Sequence, residues 1–125
     1  MHHPDDPSAM PRQALAIEPK TMRASADRAC RLMKVLSNPD RLLLLCQLAQ
    51  GEMCVGDLEA ELGILQPTLS QQLGVLREEE LVSTRREGKN IHYRLASPQA
   101  AAVMEVLHAQ FCSQPGKPVA HRAAR

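Results

Sequence analysis

QPTLSQQLGVLREEELV, residues 66–82, is the stretch that decides the fold. Leu69, Leu73 and Leu76 recur every three or four residues, which places them on one stripe of an α-helix. Pro67 suits the first turn of that helix, because a residue in this position has no intrahelical partner for its N–H. The stretch therefore predicts an amphipathic helix whose polar face lacks large charged groups at its amino end.

A shorter helix is predicted just before it, in CVGDLEAELG at residues 54–63. Val55, Leu58 and Leu62 share one face, and Gly63 suits the end of the helix. Two helices separated by a few residues are typical of a helix-turn-helix, whose second helix enters the major groove of DNA. The same pattern occurs in many all-helical domains, so the pair alone leaves both interpretations open.

Short polar side chains at the amino end of the second helix can reach the edges of bases in the major groove. The predicted base-contacting residues are Gln66, Thr68, Ser70 and Gln71. The leucine stripe on the opposite side would hold the helix to its own core.

LVSTRREGKNIHYRLAS, residues 81–97, favours the DNA-binding interpretation. Apolar and polar residues alternate on both sides of EGKN, which predicts a two-stranded hairpin. This hairpin carries four basic side chains and one acidic side chain, so we interpret it as a wing that contacts phosphates or the minor groove. The DNA contacts predicted on it are Arg85, Arg86, Lys89 and His92. A merely solvated hairpin is the alternative.

Helices are also predicted upstream, over residues 21–38 and from about Pro39 to Gly51. The whole pattern predicts a mainly α winged helix-turn-helix of five helices and a two-stranded β-hairpin. We expect a disordered arm at residues 1–20, one DNA-binding and dimerisation domain at residues 21–114, and a disordered tail at residues 115–125.

A chain of 125 residues, of which 44% are hydrophobic, suits one domain with a modest core. Tyr93 and Phe111 are its only aromatic residues, so aliphatic side chains must fill that core. The net charge of +1 argues neither for nor against nucleic acid. The start has no apolar run typical of a signal peptide and no stretch suits a membrane span, so we expect a cytoplasmic protein with reduced thiols.

The stretch from SNPDRLLLLCQLAQGE to HYRLAS, residues 37–97, resembles the ArsR/SmtB family of winged-helix repressors. The resemblance covers roughly residues 31–112. It implies a homodimer built from the first and last helices, two recognition helices on palindromic operator DNA, and an inducer that weakens DNA binding. It implies neither an enzyme nor a bound cofactor.

Members of this family sense different inducers, and the metal ligands of two branches are incomplete here. Arsenic sensors carry a Cys-Val-Cys pair, whereas this chain has Cys54 followed by Val55 and Gly56. Zinc sensors use carboxylate and histidine pairs on the last helix, where only Glu105 and His108 are found. We therefore predict no metal site, and a metal-responsive repressor remains the first alternative.

Cys46 and Cys112 resemble the paired cysteines of the BigR/SqrR-like branch, whose members respond to persulfides and related reactive sulfur. The resemblance implies that bridging this dithiol releases operator DNA and derepresses genes of sulfide oxidation or sulfur detoxification. Alternatively, Cys46 is core filler and Cys112 a surface residue. A thiol enzyme is a further alternative that lacks the usual Cys-x-x-Cys motif, and an interaction module without DNA is disfavoured by the basic wing.

Overall fold

The computed structural model describes residues 18–112, so most of the predicted arm and all of the predicted tail lie outside the described residues. The chain divides into two compact units, Met1–Arg31 and Leu32–Arg125.

Five helices and three strands occur between residues 18 and 112. In chain order they are α1 (Pro19–Leu36), α2 (Pro39–Leu48), β1 (Met53–Cys54), α3 (Val55–Leu62), α4 (Thr68–Glu78), β2 (Val82–Glu87), β3 (Asn90–Leu95) and α5 (Pro98–Phe111). The five predicted helices are confirmed. The first of them begins two residues earlier than predicted, at Pro19, because proline is well tolerated in the first turn.

The first unit contains most of α1, an exposed helix. Arg23 and Asp27 lie one turn apart on it, with their charged groups 3.3 Å from each other. Both side chains are well exposed, so this ion pair contributes little to stability.

Helix boundaries in the second unit follow from local capping residues. The Asn38 side chain accepts a hydrogen bond from the backbone N–H of Arg41 at 3.0 Å, which begins α2. Ser97 does the same for Ala100 at 3.0 Å, which begins α5. Gly63 ends α3 with a φ of 69°, a conformation that glycine adopts without the usual steric cost.

The sheet has three antiparallel strands in the order β1-β3-β2, and the predicted two-stranded hairpin is its β2-β3 part. Val82 pairs with Leu95 and Glu87 with Asn90, so Gly88 and Lys89 form a two-residue loop. The prediction of two strands was incomplete, because β1 pairs with the other side of β3. A strand of two residues is too short to show alternation, and its partner lies far along the chain.

The core lies between the helices and one end of the sheet. Its largest fully buried side chains are all leucines: Leu44, Leu45, Leu58, Leu69, Leu73 and Leu76. The leucine stripe predicted on α4 is therefore confirmed as its core face. Full burial of a leucine side chain stabilises the fold by about 1.5–3 kcal/mol.

Two neighbouring leucines on α2 test this packing. Leu44 is completely buried, whereas Leu43 is 47% exposed. We expect Leu44→Ala to lower the free energy of unfolding by about 2–5 kcal/mol, because apolar burial is reduced and a cavity is left behind. Leu43→Ala, the matched control, should change it by less than about 0.5–1 kcal/mol. Urea titrations at one protein concentration measure both, and equal losses of stability would contradict the assigned core.

Candidate DNA interface and dithiol site

Helix α4, the predicted recognition helix, is anchored by its leucines and exposes its opposite face. Gln71 is exposed there, and Thr68 is half-buried at the start of the helix. Gln66 lies before the helix, where its side-chain oxygen accepts hydrogen bonds from the backbone N–H of Ser70 at 3.2 Å and from its hydroxyl at 2.6 Å. Gln66 and Ser70 are both among the predicted base-contacting residues. In the structure they are hydrogen-bonded to each other, which fixes the first turn of α4.

The middle of the exposed face of α4 is a shallow open groove around Gly74, between Gln71 and Glu78. A Cβ atom built at Gly74 would meet no atom within 4 Å, so packing within the described chain does not require glycine there. The missing side chain leaves backbone uncovered, which permits close approach of another molecule.

Arg85, in the second half of β2, ties the wing to Glu52, which precedes β1. Its Nε lies 3.0 and 2.9 Å from the two carboxylate oxygens of Glu52, and its Nη2 donates to Oε1 at 2.8 Å. Hydrogen bonding from Arg85 lowers the pKa of Glu52, so the pair is present above that lowered pKa and is lost as pH falls through it. The guanidinium of Arg85, one of the predicted DNA contacts, is thus paired with carboxylates of the chain itself.

The other predicted wing contacts differ in their surroundings. His92 Nε2 lies 3.5 Å from a carboxylate oxygen of Glu87, so its ring is also engaged within the hairpin. Arg86 and Lys89 are exposed at the tip. Among residues 18–112, neither of these two side chains takes part in any of the hydrogen bonds or ion pairs found. Arg86 and Lys89 are therefore the wing cations available to a phosphate.

Cys46 lies on α2 with its thiol directed at α5. Its Sγ donates a hydrogen bond to the Sδ of Met104 at 3.6 Å, and Met104 is buried. Burial raises the pKa of the Cys46 thiol, and the charge of the nearby Cys112 thiolate raises it further. Cys112 is exposed immediately after the end of α5, and all four cysteines of the chain are free thiols.

The other two cysteines lie on other elements of the fold. Cys30 is exposed on α1 in the first unit. Cys54 ends β1 opposite His92 and precedes α3 without a capping hydrogen bond from its side chain. Glu105 and His108 are both exposed on α5. Within residues 18–112, no three His, Cys, Asp or Glu side chains converge in a way that would hold a metal ion.

Sequence reasoning missed Glu52 and Met104. Glu52 is 33 residues from Arg85, and Met104 is 58 residues from Cys46. Neither contact has a local signal, because only the folded chain brings the partners together.

None of the helices between residues 18 and 112 is both long and apolar enough to cross a membrane.

Residues 38–84 match the model of the family described as bacterial regulatory protein, arsR family. The biofilm growth-associated repressor of Agrobacterium fabrum is 58% identical over 92 residues, which span 74% of this chain and 79% of that protein.

Two solved structures are similar in fold. The transcriptional repressor BigR from Xylella fastidiosa superposes with a TM-score of 0.72 at 49% identity, over 78% of this chain and all of that one. The homodimeric winged helix-turn-helix DNA-binding domain Mb0332 from Mycobacterium bovis gives a TM-score of 0.63 at 33% identity, over 76% of this chain and 88% of that one.

The raised pKa of Cys46 predicts how the two thiols react with iodoacetamide. Only the thiolate reacts, so at neutral pH Cys46 should be alkylated more slowly than the exposed Cys112. The alkylation rate of Cys46 should rise with pH through a pKa above the usual value for cysteine. Cys112→Ser should lower the pKa of Cys46 slightly, because it removes the charge of Cys112, but burial should keep this pKa raised. Peptide mass spectrometry over a pH series measures the rates, and faster alkylation of Cys46 would contradict this assignment.

Proposed function

Because the chain belongs to the bacterial ArsR family, in the branch of the repressor BigR, we propose that it is a homodimeric repressor controlled by its Cys46–Cys112 dithiol. One observation carries the sensing part of the proposal. The Cys46 thiol faces α5, and the charge of Cys112 at the end of that helix reaches it. Cys46 thus lies at the contact between α2 and α5, and the more exposed Cys112 at the end of α5 is close enough to act on it electrostatically.

Two exposed surfaces of the second unit contact DNA in this proposal, the outer face of α4 and the tip of the wing. The outer face of α4, with Gln71 and the uncovered backbone at Gly74, enters the major groove. Arg86 and Lys89 at the tip of the wing contact phosphates or the minor groove beside it. Arg85 holds the wing to Glu52, so its role is to orient the hairpin.

A second copy of the chain supplies the other half of the interface with a palindromic operator. The Mycobacterium bovis domain is described as homodimeric. On α5, Val106 is 58% exposed and Phe111 is 75% exposed. A partner subunit packed on this helix would remove both apolar side chains from water, which favours association.

The inducer is a low-molecular-weight persulfide, RSSH, which supplies both sulfur and oxidising equivalents. The exposed Cys112 thiolate attacks its outer sulfur, giving a Cys112 persulfide and RS⁻. This persulfide attacks the inner sulfur of a second RSSH and releases HS⁻. Cys46 then attacks the central sulfur of the resulting chain and displaces RS⁻, which leaves a trisulfide between Cys46 and Cys112. Overall, two thiols and two RSSH give one trisulfide, two RSH and H₂S.

Bridging changes the contact between α2 and α5. Cys46 lies in the middle of α2 and Cys112 follows the last turn of α5. A covalent link between these positions replaces the thiol contact with Met104. Because α5 carries the dimer interface, the change alters the spacing of the two recognition helices and lowers DNA affinity.

The wing predicts a specific salt dependence. A suitable operator probe is a duplex that the wild-type protein selects from a random pool, with a shuffled duplex of the same length as the non-specific probe. The variant Arg86→Ala, Lys89→Ala should bind both more weakly, and the slope of log affinity against log salt should fall by about 0.9 for each phosphate that the variant no longer neutralises. Arg85→Ala is the matched control and should change this slope less. An unchanged slope in the double variant would contradict the wing assignment.

The dithiol predicts which cysteines are needed for release. Glutathione persulfide should release wild-type protein from the operator and produce an intact mass increased by one sulfur less two hydrogens. Cys46→Ser and Cys112→Ser should each stay bound to DNA, because neither can form the bridge. Cys30→Ser, Cys54→Ser is the control and should respond like wild type. Release of either single variant, or loss of the response in the control, would contradict the proposal.

A further inference from the structure

Arg41 lies in the first turn of α2 and binds two other helices. Its Nε donates to the backbone oxygen of Val35 at 2.7 Å, and its Nη2 lies 3.5 Å from the backbone oxygen of Lys34. On its other side, Nη1 donates to the side-chain oxygen of Gln72 at 2.9 Å. One half-buried guanidinium therefore joins the carboxyl end of α1 to the recognition helix α4.

The chemistry of this contact suits arginine. The carbonyl oxygens at the end of a helix lack intrahelical donors and carry partial negative charge, so a cation is favourable beside them. The planar guanidinium presents its donors in a fixed fork, so it can hold two acceptors in different directions at once. A lysine has a single ammonium on a flexible stem and cannot reproduce that geometry.

Gln72 is in a position to control how α4 is presented. It adjoins Gln71 and lies beside the buried leucine stripe, half-buried itself. The leucines hold α4 against the core, but apolar contact is non-directional and permits small sliding and rotation of the helix. A hydrogen bond from a fixed guanidinium is directional and restricts both motions.

We propose that Arg41 and Gln72 are positioning residues that set the rotation and depth of the recognition helix, and thereby its preference for operator over other DNA. This rests on the proposed function, since it assumes that α4 reads the operator. Neither residue needs to touch a base. Loss of their bond should affect sequence discrimination, because base contacts are sensitive to the placement of α4. Phosphate contacts by the wing should remain.

The principal test compares three variants with the wild type. Gln72→Leu removes the acceptor at similar size, Gln72→Glu keeps an acceptor for Arg41, and Ser37→Ala is the matched control. The Ser37 hydroxyl donates to the same Lys34 oxygen at 2.8 Å, and no contact of its side chain with α4 is found in the described chain. Two quantities are measured: the ratio of operator to shuffled-duplex affinity, and hydrogen exchange of the α4 backbone amides.

Gln72→Leu should lower the affinity ratio by about 5- to 150-fold, the range that one good base contact contributes. Its affinity for the shuffled duplex and its salt dependence should stay close to wild type, and its α4 amides should exchange faster. Gln72→Glu and Ser37→Ala should keep the ratio and the exchange of the wild type. Should Gln72→Leu fail to fold, Arg41→Lys tests the same bond and should lower the ratio in the same way.

An unchanged ratio in a folded Gln72→Leu or Arg41→Lys variant would overturn the inference. An equal fall in the ratio for Ser37→Ala would also overturn it, because the loss of discrimination would then arise at the carboxyl end of α1 and not from the bond between Arg41 and Gln72. A wild-type protein without operator preference would instead refute the proposed function. In that case hydrogen exchange of the α4 backbone amides is the remaining test of the positioning role. Unchanged exchange of these amides in Gln72→Leu would overturn that role.

Discussion

The packing of the α4 leucines into a core made mostly of other leucines is the contact on which the rest of the structure depends. Leu69, Leu73 and Leu76 have almost no exposed surface. Their burial holds one face of α4 against the domain and leaves the opposite face in solvent. The hairpin begins a few residues after this helix, so the same packing also fixes where the wing starts. With no tryptophan in the chain and one half-buried tyrosine, leucines supply most of this apolar surface.

Local sequence patterns predicted what depends on local structure. The helices follow from apolar spacing and from boundary residues such as Gly63, and the hairpin follows from alternation around a glycine turn. The pairing of β1 with β3, the Glu52–Arg85 ion pair and the bond between Arg41 and Gln72 could not be predicted. Their partners are far apart in sequence, and a charged or polar residue alone does not indicate which distant group it meets.

The candidate DNA interface shows the same limit at the level of single side chains. Residue type and position predicted that helix α4 and the β2-β3 hairpin exist, and the structure confirms both elements. Residue type and position did not indicate that the Arg85 guanidinium is paired with Glu52, whereas Lys89 at the wing tip has no such partner among the residues that the structure describes. Nor did they indicate that the Gln66 side chain completes the first turn of α4. Polar groups satisfy one another wherever the fold brings them within reach, and this competition decides which remain for a ligand.

The ten-residue helix α2 contacts α5 through Cys46 and α4 through Arg41, five positions earlier. This arrangement has an evolutionary consequence. A substitution that shifts α2 changes the surroundings of the Cys46 thiol and the support of α4 together. Under the proposed function, inducer response and operator preference therefore cannot diverge independently through changes in this helix. Lineages that acquire a new inducer while keeping their operator are therefore expected to vary at the end of α5, whereas the amino end of α2 should tolerate few replacements.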